Sequence, residues 1–129
     1  MNLACGVDII EIERVKKAIE KDNGRFLDKV FTQEEINYCS KAFSAKYQHY
    51  AARFAAKEAV SKALGLGLAG GVRLNEIEVI KDDMGKPGII LHGSTKKIAD
   101  DMGIASLSLS LSHCQTYAVA NVVCFVDNT

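Results

Sequence analysis

Glu58, Ser61 and Lys62 lie in the run Phe54-Ala55-Ala56-Lys57-Glu58-Ala59-Val60-Ser61-Lys62, where an acid precedes a base by four positions. On a helix turning about 100° per residue, Phe54, Glu58, Ser61, Lys62 and Gly65 share one arc. Such a face is open to two readings. Glu58 and Lys62 can be a solvated helix pair contributing about 0.3 kcal/mol, or half of a site for a cation and a phosphate. Asp8 bears on the choice, because it follows the apolar run Leu3 to Val7, where a carboxylate needs a partner or a bound cation. Two carboxylates from separate elements, with water and phosphate oxygens completing an octahedron, suit Mg²⁺. An ammonium one turn away, beside a glycine-rich loop, then suits a pyrophosphate.

These residues need elements to hold them. Leu3 to Ile10 reads as a strand with Asp8 near its end, and Glu11 to Lys21 as a helix. Arg25 to Val30 reads as a short helix. Thr32 and Glu35 have capping-box spacing ahead of another, ending near Ser40. Lys46 to Leu64 contains no Pro or Gly and abundant Ala, which predicts one long helix stopped by Gly65. Its Ala52, Ala55, Ala56, Ala59, Val60 and Ala63 form a core face, and the glycine-rich stretch 65–71 reads as a loop. Glu76 to Lys81 and Gly88 to His92 flank a run of turn residues and read as a hairpin. Thr95 to Met102 reads as a short helix. Ser106 to Ser112 alternates Ser and Leu, the period of a strand with Leu on one face and Ser on the other. Tyr117 to Val126 is apolar on both faces, so both sides of that strand should be covered, part of the cover coming from another subunit. The element order predicts an α+β domain with a mainly antiparallel sheet packed on one long and several short helices.

The chain has 129 residues, 48% hydrophobic and 25% charged, which predicts a single folded domain over 1–129. Sixteen Lys and Arg balance sixteen Asp and Glu, so no net charge draws the chain to nucleic acid or to an anionic membrane. No stretch approaches the length of a membrane span, and a cytoplasmic protein is expected. The four cysteines, Cys5, Cys39, Cys114 and Cys124, include no C-x-x-C pair. They are expected to be buried, reduced thiols.

Two signatures resemble a known family. Gly6-Val7-Asp8, together with the aromatic Phe54 ahead of Lys57-Glu58-Ala59 and then Lys62, is similar to the 4′-phosphopantetheinyl transferases, in their short, acyl-carrier-protein-synthase branch. The resemblance extends to Ile9–Arg14, Phe31-Thr32, Glu35, Arg53, Gly85-Lys86-Pro87 and Ser112-His113, nearly the whole chain. Ala55 follows the aromatic, as in the short branch, where the larger branch often has Ser, Thr or Cys.

The resemblance implies that Asp8 and Glu58 bind Mg²⁺ and that Glu58 and Lys62 are catalytic. It implies that Lys62 and Lys57 offset phosphate charge on coenzyme A, with Ser61 and Gly65 beside the same phosphates. Lys57 lies off the arc shared by Glu58 and Lys62, and its other reading is a structural ion pair. Arg53, Lys86, Pro87 and His113 are expected to bind the nucleotide end of CoA, in a cleft between subunits. Without the resemblance, His113 reads as a strand-end histidine in a satisfied hydrogen bond. Arg14, Arg25 and Lys29 match positions that meet an acidic apo acyl carrier protein. The implied reaction is transfer of 4′-phosphopantetheine from CoA to a carrier serine, releasing adenosine 3′,5′-bisphosphate, in fatty acid biosynthesis. The implied assembly is a homotrimer. A non-catalytic CoA-binding module is the rival; it would need the phosphate contacts without the carboxylate pair.

Overall fold

The computed structural model describes residues 2–21, 23–65 and 70–127. Strand β1 (Asn2–Glu11) leads into helix α1 (Ile12–Lys21), then α2 (Arg25–Val30), α3 (Gln33–Ser40), the long α4 (Lys46–Leu64), the hairpin β2 (Ile77–Lys81) and β3 (Pro87–Leu91), α5 (Gly93–Asp101), β4 (Ile104–His113) and β5 (Tyr117–Val126). The strands form two antiparallel sheets, one ordered β1-β5-β4 and the other the β2-β3 pair. This is the expected α+β architecture. No described helix is long and apolar enough to cross a membrane.

Strand period decides which side chains enter the core. In β5, Ala118, Ala120, Val122 and Cys124 are all 0% exposed, and the register aligns them with Leu107, Leu109 and Leu111 of β4 and with Ala4, Gly6, Asp8 and Ile10 of β1. That face packs on α4, the helix in closest association with both β1 and β5. The opposite face carries the serines of β4 together with Leu3, Val7, Ile9, Tyr117 and Phe125, all exposed. The expectation that β5 is covered on both sides is therefore met on one side within the chain.

α4 is buried almost all round. From Tyr50 to Leu64 every residue is buried except Phe54, Glu58 and Lys62, which form one stripe at four-residue spacing. Alanines make this possible, since their small side chains admit neighbouring backbones on several sides. Gly6 is the closest of these approaches. A Cβ there would collide with the Ala59 carbonyl oxygen and lie 2.9 Å from the Ala63 nitrogen, both backbone atoms. The glycine thus lets β1 lie flat on α4 and carries Asp8, two residues on, to the uncovered stripe. Gly6→Ala is expected to destabilise the fold by about 2–3 kcal/mol, because neither backbone can yield without displacing its element; a thermal melt reads it directly.

Several boundaries differ from the sequence reading by one or two residues: α1 starts at Ile12, the hairpin runs Ile77–Lys81 and Pro87–Leu91, and β4 extends to Ile104 and His113. α5 starts earlier, at Gly93, because the Glu76 carboxylate accepts from the Ser94 and Thr95 backbone amides and so caps the helix from a distant segment. Short 3₁₀ turns at Phe43–Ala45 and Leu74–Glu76 had no clear sequence signal. Gly65, at φ +76°, ends α4 as read; of the rest of the proposed loop, 66–69 lie outside the described residues. The cysteines are free, but only Cys39 and Cys124 are buried. Cys5 points to the open face of β1, and Cys114 lies in the β4–β5 turn, which corrects the expectation of four buried thiols.

Candidate active site

Asp8 reaches α4 from the inner face of β1. Its Oδ1 accepts from the Lys62 ammonium at 3.0 Å, and Lys62 also donates to the Val7 carbonyl at 3.1 Å. The Asp8 side chain is 16% exposed and that of Lys62 is 56% exposed, so the ammonium can leave this contact for an arriving anion. Glu58 lies one turn before Lys62 on the same stripe. Burial, and then the neighbouring Asp8 carboxylate, push the Glu58 pKa above the usual carboxylate range, with Lys62 pulling the other way. Two carboxylates that repel each other beside one exposed ammonium are a donor set that a hard divalent cation would relieve. Among the described residues no third His, Cys, Asp or Glu joins them. That suits Mg²⁺, which keeps water and takes substrate phosphate in its remaining positions.

The pH dependence follows from these causes. A carboxylate with a raised folded pKa weakens the fold as pH climbs from its unfolded value through the raised one, because the folded state there holds the extra proton. The same proton must leave before Glu58 can act as an anion. Lys62→Met removes the one cause that lowers the Glu58 pKa, so in metal-free buffer the loss of thermal stability with rising pH is expected to extend to higher pH in that variant.

Lys57 does not belong to this face. Its ammonium, 0% exposed, donates to Glu35 Oε1 at 2.7 Å, to the Leu74 carbonyl at 3.0 Å and to the Ile77 carbonyl. All of its donors are spent inside the protein. Burial lowers its pKa and Glu35 opposes the shift. The expectation that Lys57 offsets CoA phosphate charge is therefore corrected in favour of the structural ion pair, with Glu35, a partner that sequence spacing did not reveal. Glu35 itself is fixed by the capping box: Thr32 Oγ1 accepts from the Glu35 amide at 3.2 Å, and Glu35 Oε1 accepts from the Thr32 amide at 2.9 Å.

Ser61 is buried on α4 and Gly65 closes the helix just beyond Lys62. Arg53 and Pro87 meet His113 in a separate cleft of about 220 Å³, with His49 and Lys81 also on its wall. Lys86 is exposed in the adjoining turn, where Asp82 Oδ1 accepts from the Met84 and Lys86 amides at 2.9 Å. Among the described residues no acidic side chain lines the cleft. His49 and Lys81 escaped the sequence reading, although His49 precedes Arg53 by one helical turn. Arg53 and Glu58 lie about 140° apart around α4, so the cleft and the carboxylate pair open on different sides of the helix. Arg14, Arg25 and Lys29 are exposed on α1 and α2. Arg14 borders a recess of about 150 Å³ whose apolar wall includes Phe26 and Phe54, one turn from Glu58.

Comparison with known proteins gives this geometry a context. Residues 4–122 match the family model of the 4′-phosphopantetheinyl transferase superfamily. The holo-[acyl-carrier-protein] synthase of Ruminiclostridium cellulolyticum is 52% identical over 123 residues, covering 95% of this chain and 92% of the relative. The enzyme of the same name from Geobacter sulfurreducens is 46% identical over 124 residues, covering 95% and 97%. Among solved structures, the Neisseria meningitidis holo-[acyl-carrier-protein] synthase superposes with a TM-score of 0.86 at 32% identity, covering 95% of this chain and 97% of that one. The Helicobacter pylori synthase in complex with coenzyme A superposes with a TM-score of 0.82 at 33% identity, covering 94% and 99%.

Proposed function

The chain belongs to the 4′-phosphopantetheinyl transferase superfamily, and we propose that within it this protein is a magnesium-dependent holo-[acyl-carrier-protein] synthase. It transfers 4′-phosphopantetheine from CoA to a serine of apo acyl carrier protein, in the cytoplasm, for fatty acid biosynthesis. The observation that carries this reading is the single uncovered stripe of an otherwise buried helix, which presents Glu58 and Lys62 beside Asp8.

Asp8 and Glu58 would hold Mg²⁺, whose chemistry here is charge neutralisation on the CoA pyrophosphate. Lys62, largely exposed, exchanges its contact with Asp8 for a phosphate oxygen and offsets charge that builds there. Ser61 and Gly65 flank the same phosphates at the end of α4. The serine oxygen forms a bond to the β-phosphorus as the bond to the departing adenosine 3′,5′-bisphosphate breaks. Its proton passes to Glu58, one helical turn from Lys62. Arg53, Lys86, Pro87 and His113 hold the nucleotide end, and Arg14, Arg25 and Lys29 meet the acidic carrier.

The same reading places active sites between subunits of a homotrimer formed by the one domain, 1–129. Support comes from the open sheet face, where Leu3 and Ile9 are 63% exposed, Val7 57% and Phe125 46%; a contiguous apolar face of this kind marks an interface. The separation of cleft and carboxylate pair around α4 agrees, since a neighbouring copy can join them. Phe125→Glu is expected to give a monomer in light scattering and to lose transfer with it; a trimer that persists with full activity would count against the shared site.

The deciding experiment is intact-mass spectrometry of apo acyl carrier protein incubated with the protein, CoA and Mg²⁺, alongside a sample in chelator. A gain of one phosphopantetheine mass that needs the metal supports the reading. No gain, with an authentic synthase active in the same assay, sinks it and favours a CoA-binding module.

A further inference from the structure

Tyr38 lies on α3, 42% exposed, and is not part of the wall of the Arg53 cleft. Its ring nevertheless touches three of the groups that are. The Arg53 Cζ lies 4.3 Å from the ring centroid, the Lys81 Nζ lies 5.4 Å from it, and the His49 ring stands edge-on at 5.6 Å. These three come from two other elements, α4 and the end of β2. Arg53 has little else to hold it. The residue is 2% exposed, its Nε–H is buried without a hydrogen-bond partner, and besides a long bond of 3.5 Å to the His49 carbonyl it interacts with the Tyr38 hydroxyl, whose pKa is lowered by Lys81 and, less strongly, by Arg53. Neither Arg53 nor Lys81 forms an ion pair among the described residues. Two cations thus converge on one aromatic ring beside a cleft that has no carboxylate among the described residues. The mutual repulsion of those cations is offset in part by the ring quadrupole and would be offset further by an anion in the cleft. The Arg53 and Lys81 charges also help to hold His49 below its ordinary pKa, after burial.

We infer that Tyr38 is a positioning residue: its ring holds the Arg53 guanidinium and the Lys81 ammonium together as a preformed receptor for a phosphate monoester. The inference rests on the reading of the chain as a CoA-dependent transferase, in which the pyrophosphate goes to Asp8, Glu58 and Lys62. The anion left for this cleft is then the phosphate on the ribose 3′ position. Tyr38 touches no substrate; it acts through the two cations, so that they are already placed when the ligand arrives and little ordering entropy is lost on binding.

The test is calorimetric titration of the full chain with adenosine 3′,5′-bisphosphate and, separately, with AMP, which lacks the 3′-phosphate. Tyr38→Leu is expected to weaken bisphosphate binding about tenfold while AMP affinity stays nearly unchanged. Tyr38→Phe, which keeps the ring but removes the hydroxyl that also meets Lys81 and Arg53, should lose less of the discrimination than Tyr38→Leu. Lys81→Met should reduce it, and the Tyr38→Leu/Lys81→Met pair should lose less than the two single losses combined. Unchanged discrimination in Tyr38→Leu, or equal loss of both ligands, overturns the inference, as does a wild-type protein that does not distinguish the two. Parallel transfer assays separate the two readings. Wild-type discrimination lost in Tyr38→Leu, without any transfer, would remove the enzyme reading and keep the receptor; transfer with discrimination intact in Tyr38→Leu would remove only the role of Tyr38.

Discussion

Glu58→Gln is expected to lower kcat/KM for phosphopantetheine transfer by at least about 10²-fold, while the melting temperature stays at or above that of the unmodified protein. The substitution keeps the shape of the side chain and removes the charge that both proposed roles require. Its effect on stability runs the other way. Burial and Asp8 both raise the Glu58 pKa, so at neutral pH the ionised carboxylate weakens the fold, and an uncharged amide relieves that penalty. An enzyme gaining stability as it loses activity is the signature of a site whose charges are arranged for a ligand. Transfer is measured by the mass shift of the carrier protein, and stability by thermal denaturation in the absence of added metal. A Glu58→Gln protein with near-normal transfer would remove Glu58 from the chemistry; one that melts well below the parent would make it a structural residue.

Lys57→Met is expected to cost about 3–5 kcal/mol in denaturant unfolding, the range for breaking a buried ion pair from one side. The variant strands the Glu35 carboxylate and two backbone carbonyls, Leu74 and Ile77, that the ammonium now satisfies. Glu35 also accepts from the Val79 amide at 2.9 Å, so one ion pair ties α3, α4 and β2 together. Through β2 it fixes the hairpin that carries Lys86 and Pro87. Removing both charges, Lys57→Met with Glu35→Gln, should cost less than the sum of the single losses, because neither buried charge is then left alone. A phosphate-binding lysine would behave differently: its loss would raise the KM for CoA and leave the unfolding midpoint near that of the parent.

Much of the molecule was legible before any coordinates. The boundaries of α4 and β5, the capping box at Thr32 and Glu35, and the Leu and Ser faces of β4 all follow from local pattern, because helix caps and strand alternation depend on neighbours within a few residues. The stripe Phe54, Glu58 and Lys62 was legible for the same reason, since one helix puts those residues on one face whatever surrounds it. Long-range contacts lay outside such reasoning. The start of α5 depends on Glu76, seventeen residues before Gly93, and the role of Lys57 depends on Glu35, twenty-two residues before it.

By itself, the sequence determined the elements, the acid and base that share a helix face, and the identity of the glycine ahead of Asp8. It left open whether Glu58 and Lys62 were a solvated pair or part of a site, and whether Lys57 faced phosphate or protein. Only the tertiary structure decided these, because each answer depends on what packs against α4. The backbone of β1, admitted by Gly6, brings Asp8 to Lys62; the hairpin and α3 enclose Lys57; and Tyr38 meets Arg53 and Lys81 only where three elements converge.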